Sequence, residues 1–198
     1  TKQLPSTANK VLRCDDHGEC HDEHFNYRSV IGRLNYLEKC TRPDLSCSSH
    51  QCARFAADPK KSHANAIKWI GKYLAATRDK GLIFKPSGNS FDVFVDSDFS
   101  GNWDPEGAQD DPDTARSRTG FVIKYAGCPI LWASKLQSLI ALSSSEAEYI
   151  ALSTSLREVI PLMELIREIR DQGFDIKSTT PVVHCKVFED NSGALEIA

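Results

Sequence analysis

The chain has 198 residues, 40% hydrophobic and 26% charged, with a net charge of −3, an ordinary balance for a soluble globular protein. No apolar run approaches the ~20 residues that cross a bilayer, and the opening TKQLPSTANK lacks the apolar core of a secretory signal. The seven cysteines, odd in number and irregular in spacing, are expected as reduced thiols in an intracellular compartment, and a first residue of Thr implies a piece of a longer or processed product.

Residues 1–24 read as irregular and polar. From Phe25 the pattern is helical, with Tyr27, Val30, Ile31, Leu34 and Leu37 forming one apolar stripe. Thr41 followed by Pro43 breaks that helix and starts another, predicted over 43–57 with Leu45, Cys52, Phe55 and Ala56 inward. Asp58-Pro59 ends it. A third helix is predicted over 62–77, with Ile67, Ile70 and Leu74 on one face, and Gly81 closes the helical region.

Beyond Gly81 the period becomes extended. FDVFVDSD (91–98), TGFVIKY (119–125) and PILWAS (129–134) read as three strands of an antiparallel meander. A polar, acidic loop over 101–118 separates the first two. SLIAL (138–142) either finishes the sheet or leads into a helix. That helix begins near Ser143, where Ser143 and Glu146 make a capping box, and runs to about Asp171. Pro161 inside it should kink or interrupt it. PVVHCKVF (181–188) reads as a buried strand after a crossover, and Asn191-Ser192 starts a last helix. The fold class is therefore α/β, a mixed sheet preceded by a helical segment.

Charge divides along the chain. Residues 1–90 carry 15 Lys+Arg against 9 Asp+Glu, while residues 91–198 carry 9 against 18. A basic half could hold a phosphate backbone and an acidic half could hold cations. Within the acidic half, Asp96 lies near the end of the first strand and Asp190 just past the fourth. If those strands are parallel neighbours, the two acids meet at the carboxyl end of the sheet. Glu148 lies in the first turns of the crossover helix, on one face with the small residues Ala151 and Ser155. Three converging carboxylates repel one another, and hard divalent cations relieve that repulsion. Asp98 is a weaker alternative ligand, and Glu146 is better explained as a cap.

The motifs around these acids resemble a known family. YRSVIGRLNYL, TRPDLS, the RF of ARFAADP, His63 and IGKYLAATRDKGLIF look like the segment that follows the polymerase core in copia-type reverse transcriptases. FVDSDFSGNWD, RSRTGFVI, ILWASKLQSLIALSSSEAEYIALS and EDNSGALEIA look like that family's ribonuclease H domain. The resemblance covers roughly residues 25–198 and implies, after the irregular linker over 1–24, a connection segment over 25–85 and a ribonuclease H-like domain over 90–198. It implies catalytic and metal-ligating roles for Asp96, Glu148 and Asp190, with two magnesium or manganese ions. The acid order Asp, Glu, Asp favours the nuclease over integrase and transposase relatives, whose Glu comes last. The family's final strand and helix, with a fourth Asp, are not among the 198 residues. The implied partners are an RNA–DNA hybrid and the reverse transcriptase core of the same polyprotein, with no membrane. The implied place is the cytoplasm, in a virus-like particle, with the nucleus as a second location.

Weaker signals have plainer readings. Cys14, His17, Cys20, His21 and His24 crowd into one loop without a second ligand pair, so a solvated linker is expected ahead of a zinc site. Trp69 and Tyr73, beside Lys68 and Lys72, read as helix packing ahead of nucleic-acid stacking. Arg116 and Arg118 are candidate phosphate contacts, or simple neutralisers of the acidic loop. Two functions follow: a metal-dependent endonuclease that cuts the RNA strand of hybrids, or an inactive module that only binds nucleic acid or scaffolds the polymerase.

Overall fold

In the computed structural model, which describes residues 3–6, 11–21, 25–176 and 183–197, the first helix begins where the apolar stripe begins. Asn26 caps it, its side chain accepting the Ser29 N–H at 2.9 Å, and α1 runs Tyr27–Cys40. The whole expected stripe packs into one cluster with Leu45, Cys52, Ile67, Ile70 and Tyr73. These residues belong to the first of two compact units, Thr1–Leu82; the second is Ile83–Ala198.

The second helix is shorter than expected. Pro43–Leu45 form a 3-10 turn and α2 covers only Ser46–Ala53. Its end tightens: the Phe55 N–H reaches the Cys52 carbonyl and the Ala56 N–H the Ala53 carbonyl, three residues back instead of four. Pro59 then forbids a helical continuation through Asp58. The helix α3, Lys61–Ala76, matches the third expectation, with Ile67 and Ile70 buried.

The TRPDL segment is tied to the end of α3. Arg42 donates to both Asp44 oxygens at 2.9 and 2.7 Å and to the Thr77 carbonyl at 3.0 Å. Tyr73 donates its hydroxyl to Asp44 at 2.6 Å. Tyr73 is thus a buried packing residue, as its plainer reading held, and the half-buried Trp69 donates to the Leu4 carbonyl.

In the second unit, β1 (Ser90–Asp98), β2 (Arg118–Tyr125) and β3 (Cys128–Leu136) form the expected antiparallel meander. Then α4 runs Ser144–Asp171, and β4 (His184–Phe188) returns parallel to β1, giving the sheet order β3-β2-β1-β4. Pro181 and Val182, expected in that strand, lie outside the described residues. A short α5, Ser192–Ile197, follows. SLIAL forms no strand and leads into α4, with Leu139, Ile140 and Leu142 exposed.

One face of the sheet carries Phe91, Val93, Val95, Phe121 and Ile123, and α4 covers it with Ala151, Leu152 and Val159. Ala147, Ala151 and Ser155, four residues apart, are fully buried, so no bulky side chain separates helix from sheet. Pro161 does not interrupt α4. It sits on the exposed side, as does Arg157, whose carbonyl loses its partner and can meet water there.

Candidate metal centre

Three elements bring the acids together. The parallel register pairs Ser90 with His184 and Phe94 with Phe188, so Asp96, two residues further along β1, and Asp190, two residues past β4, lie at the same end of the sheet. The start of α4 is fixed by Ser143, whose hydroxyl accepts the Glu146 N–H at 3.1 Å. Glu146 reaches back to the Leu142 N–H at 2.7 Å, one residue beyond the expected box. One turn later comes Glu148, on the face that α4 buries.

One oxygen from each of Asp96, Glu148 and Asp190 lies within 4.8 Å of the others. Asp96 and Asp190 are exposed, whereas Glu148 is 7% exposed. The Glu148 Oε2 is buried and has no hydrogen-bond partner among the described residues. Burial, then the neighbouring Glu189 and Asp96 carboxylates, push its pKa up to about 7, with Ser97 acting in the opposite sense.

A second link holds the arrangement. Ser145 in the first turn of α4 donates to Asn191 Oδ1 at 3.3 Å, and the same oxygen accepts the Ala194 N–H at 3.0 Å. The residue after Asp190 therefore caps α5 and touches the helix that carries Glu148. Gly193 permits this approach: a Cβ there would lie 2.8 Å from the Ser145 hydroxyl.

The donor set fits a hard divalent cation. It is all carboxylate oxygen, and it includes a buried acceptor that nothing in the described protein satisfies. Among the described residues no other group of three His, Cys, Asp or Glu side chains converges in this way. Cys14 and Cys20 are exposed and form no disulfide, Cys14 donates to Asp16 at 3.1 Å, and His21 bonds the Phe25 carbonyl at 2.8 Å. His24 of that segment lies outside the described residues.

The remaining candidates fall elsewhere. Asp98 accepts the Arg118 N–H and so closes the base of the acidic loop, where burial raises its pKa. The Arg118 side chain is buried, at 6% exposure. Arg116 is partly exposed and pairs with Asp113 at 3.0 Å. The sequence reading passed over Glu189, whose carboxylate acts on Glu148. Glu189 lies one residue past the end of β4 and is half-buried.

Comparison with known proteins gives relatives that include retrovirus-related transposon Pol polyproteins and a secreted effector protein. The chain is 39% identical over 124 residues to a retrovirus-related Pol polyprotein from transposon TNT 1-94 of Nicotiana tabacum, covering 63% of this chain and 9% of that polyprotein. It is 33% identical over 169 residues to the corresponding polyprotein from transposon RE2 of Arabidopsis thaliana, covering 85% of this chain and 10% of the relative. It is 36% identical over 125 residues to secreted RxLR effector protein 161 of Plasmopara viticola, covering 63% of this chain and 82% of that protein. The chain thus spans about a tenth of the length of the Pol polyproteins it matches. No family model matches the chain, and no solved structure matches it.

Proposed function

We infer that this chain, which is similar to retrovirus-related transposon Pol polyproteins, is the ribonuclease H segment of a copia-type member. It cuts the RNA strand of RNA–DNA hybrids with magnesium or manganese held by Asp96, Glu148 and Asp190. The observation that carries this reading is the convergence of three carboxylate oxygens around a buried Glu148 oxygen that lacks a partner.

Bound divalent cations, two in the simplest arrangement, would supply the charge that makes a water nucleophilic and steadies the leaving oxygen. The protein's own part is placement. Glu148, held by a capped helix against the sheet, fixes one ligand from the dry side. Asp96 and Asp190 present their carboxylates to solvent, where a sugar–phosphate backbone arrives. Recognition of the hybrid rests on groove shape and 2′-hydroxyls, not on base sequence. Arg116 is the accessible candidate for a phosphate, at the cost of its pairing with Asp113. The partner for template and primer is the reverse transcriptase core of the same polyprotein, working in the cytoplasm within a virus-like particle and in the nucleus.

The test is incubation of the chain with magnesium and, in turn, a hybrid, a DNA duplex and single-stranded RNA. The expected result is cutting of the hybrid alone, lost in Asp96→Asn. Equal cutting by wild type and Asp96→Asn would overturn the assignment. Hybrid binding by wild type without cutting would instead mark a module that grips nucleic acid.

A further inference from the structure

A buried amide ties the sheet to the helix that carries Glu148. Gln137 directly follows Leu136, the last residue of β3, and is 4% exposed. Its backbone N–H donates to the Ser117 carbonyl at 2.9 Å. Its side-chain NH2 donates twice, to the Thr119 hydroxyl at 3.1 Å and to the Ala147 carbonyl at 2.8 Å. Ser117, Thr119 and Ala147 are themselves buried. A carbonyl only accepts, so the amide turns its NH2, not its oxygen, toward Ala147.

Both ends of this tie lie next to the converging acids. In the β1–β2 register Thr119 faces Ser97 and Gly120 faces Asp96. Ala147 directly precedes Glu148 in α4. Gln137 thus joins the strand beside Asp96 to the helical turn that presents Glu148. The other bonds at this end of α4 run elsewhere: Ser143 and Glu146 close the helix on its own N-terminus, and Ser145 reaches Asn191 at the start of α5.

The face that Gln137 secures is made of small residues. Ala147, Ala151 and Ser155 let α4 approach the sheet closely, but short side chains raise shallow ridges that resist sliding and rotation weakly. Successive residues are set about 100° apart around a helix, so a modest rotation swings the Glu148 carboxylate away from Asp96. A directional bond at Ala147 supplies the hold that packing lacks.

We propose that Gln137 is a positioning residue of the cation site, its amide setting the place of the first turns of α4 and so of the Glu148 carboxylate relative to Asp96. It touches neither cation nor substrate, and the inference rests on the cation-binding reading given above. Partners that orient a metal ligand are worth about 10–100-fold in metal affinity.

The test is titration of Mn2+ into the full chain, with free Mn2+ followed by electron paramagnetic resonance, for wild type, Gln137→Met, Gln137→Asn, Val159→Ala and Asp96→Asn. Gln137→Met fills the same space without donors, and Gln137→Asn is one methylene short of spanning both acceptors. Val159, fully buried about three turns past Glu148, is the control, since its truncation lowers stability without touching the tie. Both Gln137 variants are expected to bind Mn2+ about 10-fold or more weakly than wild type, whereas Val159→Ala melts lower in chelator and keeps wild-type affinity. If Gln137→Met fails to fold, Gln137→Asn decides. Wild-type affinity in a folded Gln137 variant, with binding lost in Asp96→Asn, overturns this proposal and leaves the three-acid site standing. An equal drop in Val159→Ala shows that affinity merely follows stability and also overturns the proposal. A wild type that takes up no Mn2+ overturns the cation reading and this one with it.

Discussion

Asp190 stands level with Asp96 because the parallel pairing of β4 with β1 keeps one register. The pairing that sets Ser90 beside His184 and Phe94 beside Phe188, carried two residues further, sets Asp96 beside Asp190. Their carboxylate oxygens come within 4.8 Å of each other and of Glu148. A one-residue slip of β4 would turn Asp190 to the α4 side and expose Val187. The hydrophobic pattern that buries the sheet therefore also sets the position of the acids.

Glu148 gives the site a pH signature. Its pKa rises from 4.5 in the free side chain to about 7 in the fold, so the folded state holds a proton that the unfolded chain has released. The stability tied to that proton is present in full below pH 4.5 and is lost as pH rises through 7. In chelator, wild type should lose melting temperature across this window relative to Glu148→Gln. A divalent cation should restore it at the upper end. Parallel melting curves for the two proteins would contradict the burial argument.

The close approach of α4 to the sheet depends on its small residues. Ala151 is fully buried, so Ala151→Leu overpacks the contact and should cost about 1–3 kcal/mol. The same change at the exposed Ser153 should stay within about 0.5 kcal/mol. Urea unfolding of both variants makes the comparison, and equal costs would place the helix further from the sheet than described.

In the first unit, Arg42 is the hub of TRPDL. Arg42→Lys keeps the charge but loses the two-pronged contact with Asp44 and the bond to the Thr77 carbonyl. A loss of about 1.5–3 kcal/mol is expected by chemical denaturation, with Mn2+ affinity unchanged. An unaffected midpoint would mean that the network adds nothing to stability.

Pro161 offers a gain. It occupies an exposed position inside an unbroken helix, so Pro161→Ala returns a backbone donor and removes a clash. Up to about 3 kcal/mol is available. The melting temperature should rise without a change in cation binding. A fall would show that the helix needs the proline.

Most of this architecture was legible in the residues. The change from helical to alternating periodicity at 91–98 marked where the sheet begins, and the order of strand, helix and strand put Asp96, Glu148 and Asp190 at one end of it. Two features escaped because tertiary terms decide them. Residues 54–57 have helical character, but the chain tightens ahead of Pro59 and ends α2 at Ala53. Pro161 lowers helix propensity, yet burial of Leu152 and Val159 before it and packing of Met163 and Ile166 after it keep α4 intact. Burial of the Arg118 side chain was equally unreadable, since a lone arginine beside an acidic loop looks solvent-facing.

The most direct test uses a hybrid with a separate label on each strand, incubated in magnesium with wild type and with Asp190→Asn. Cutting confined to the RNA strand, abolished by chelator and by the substitution, is the predicted result. Cutting of both strands, cutting that survives Asp190→Asn, or no cutting by wild type would contradict the account.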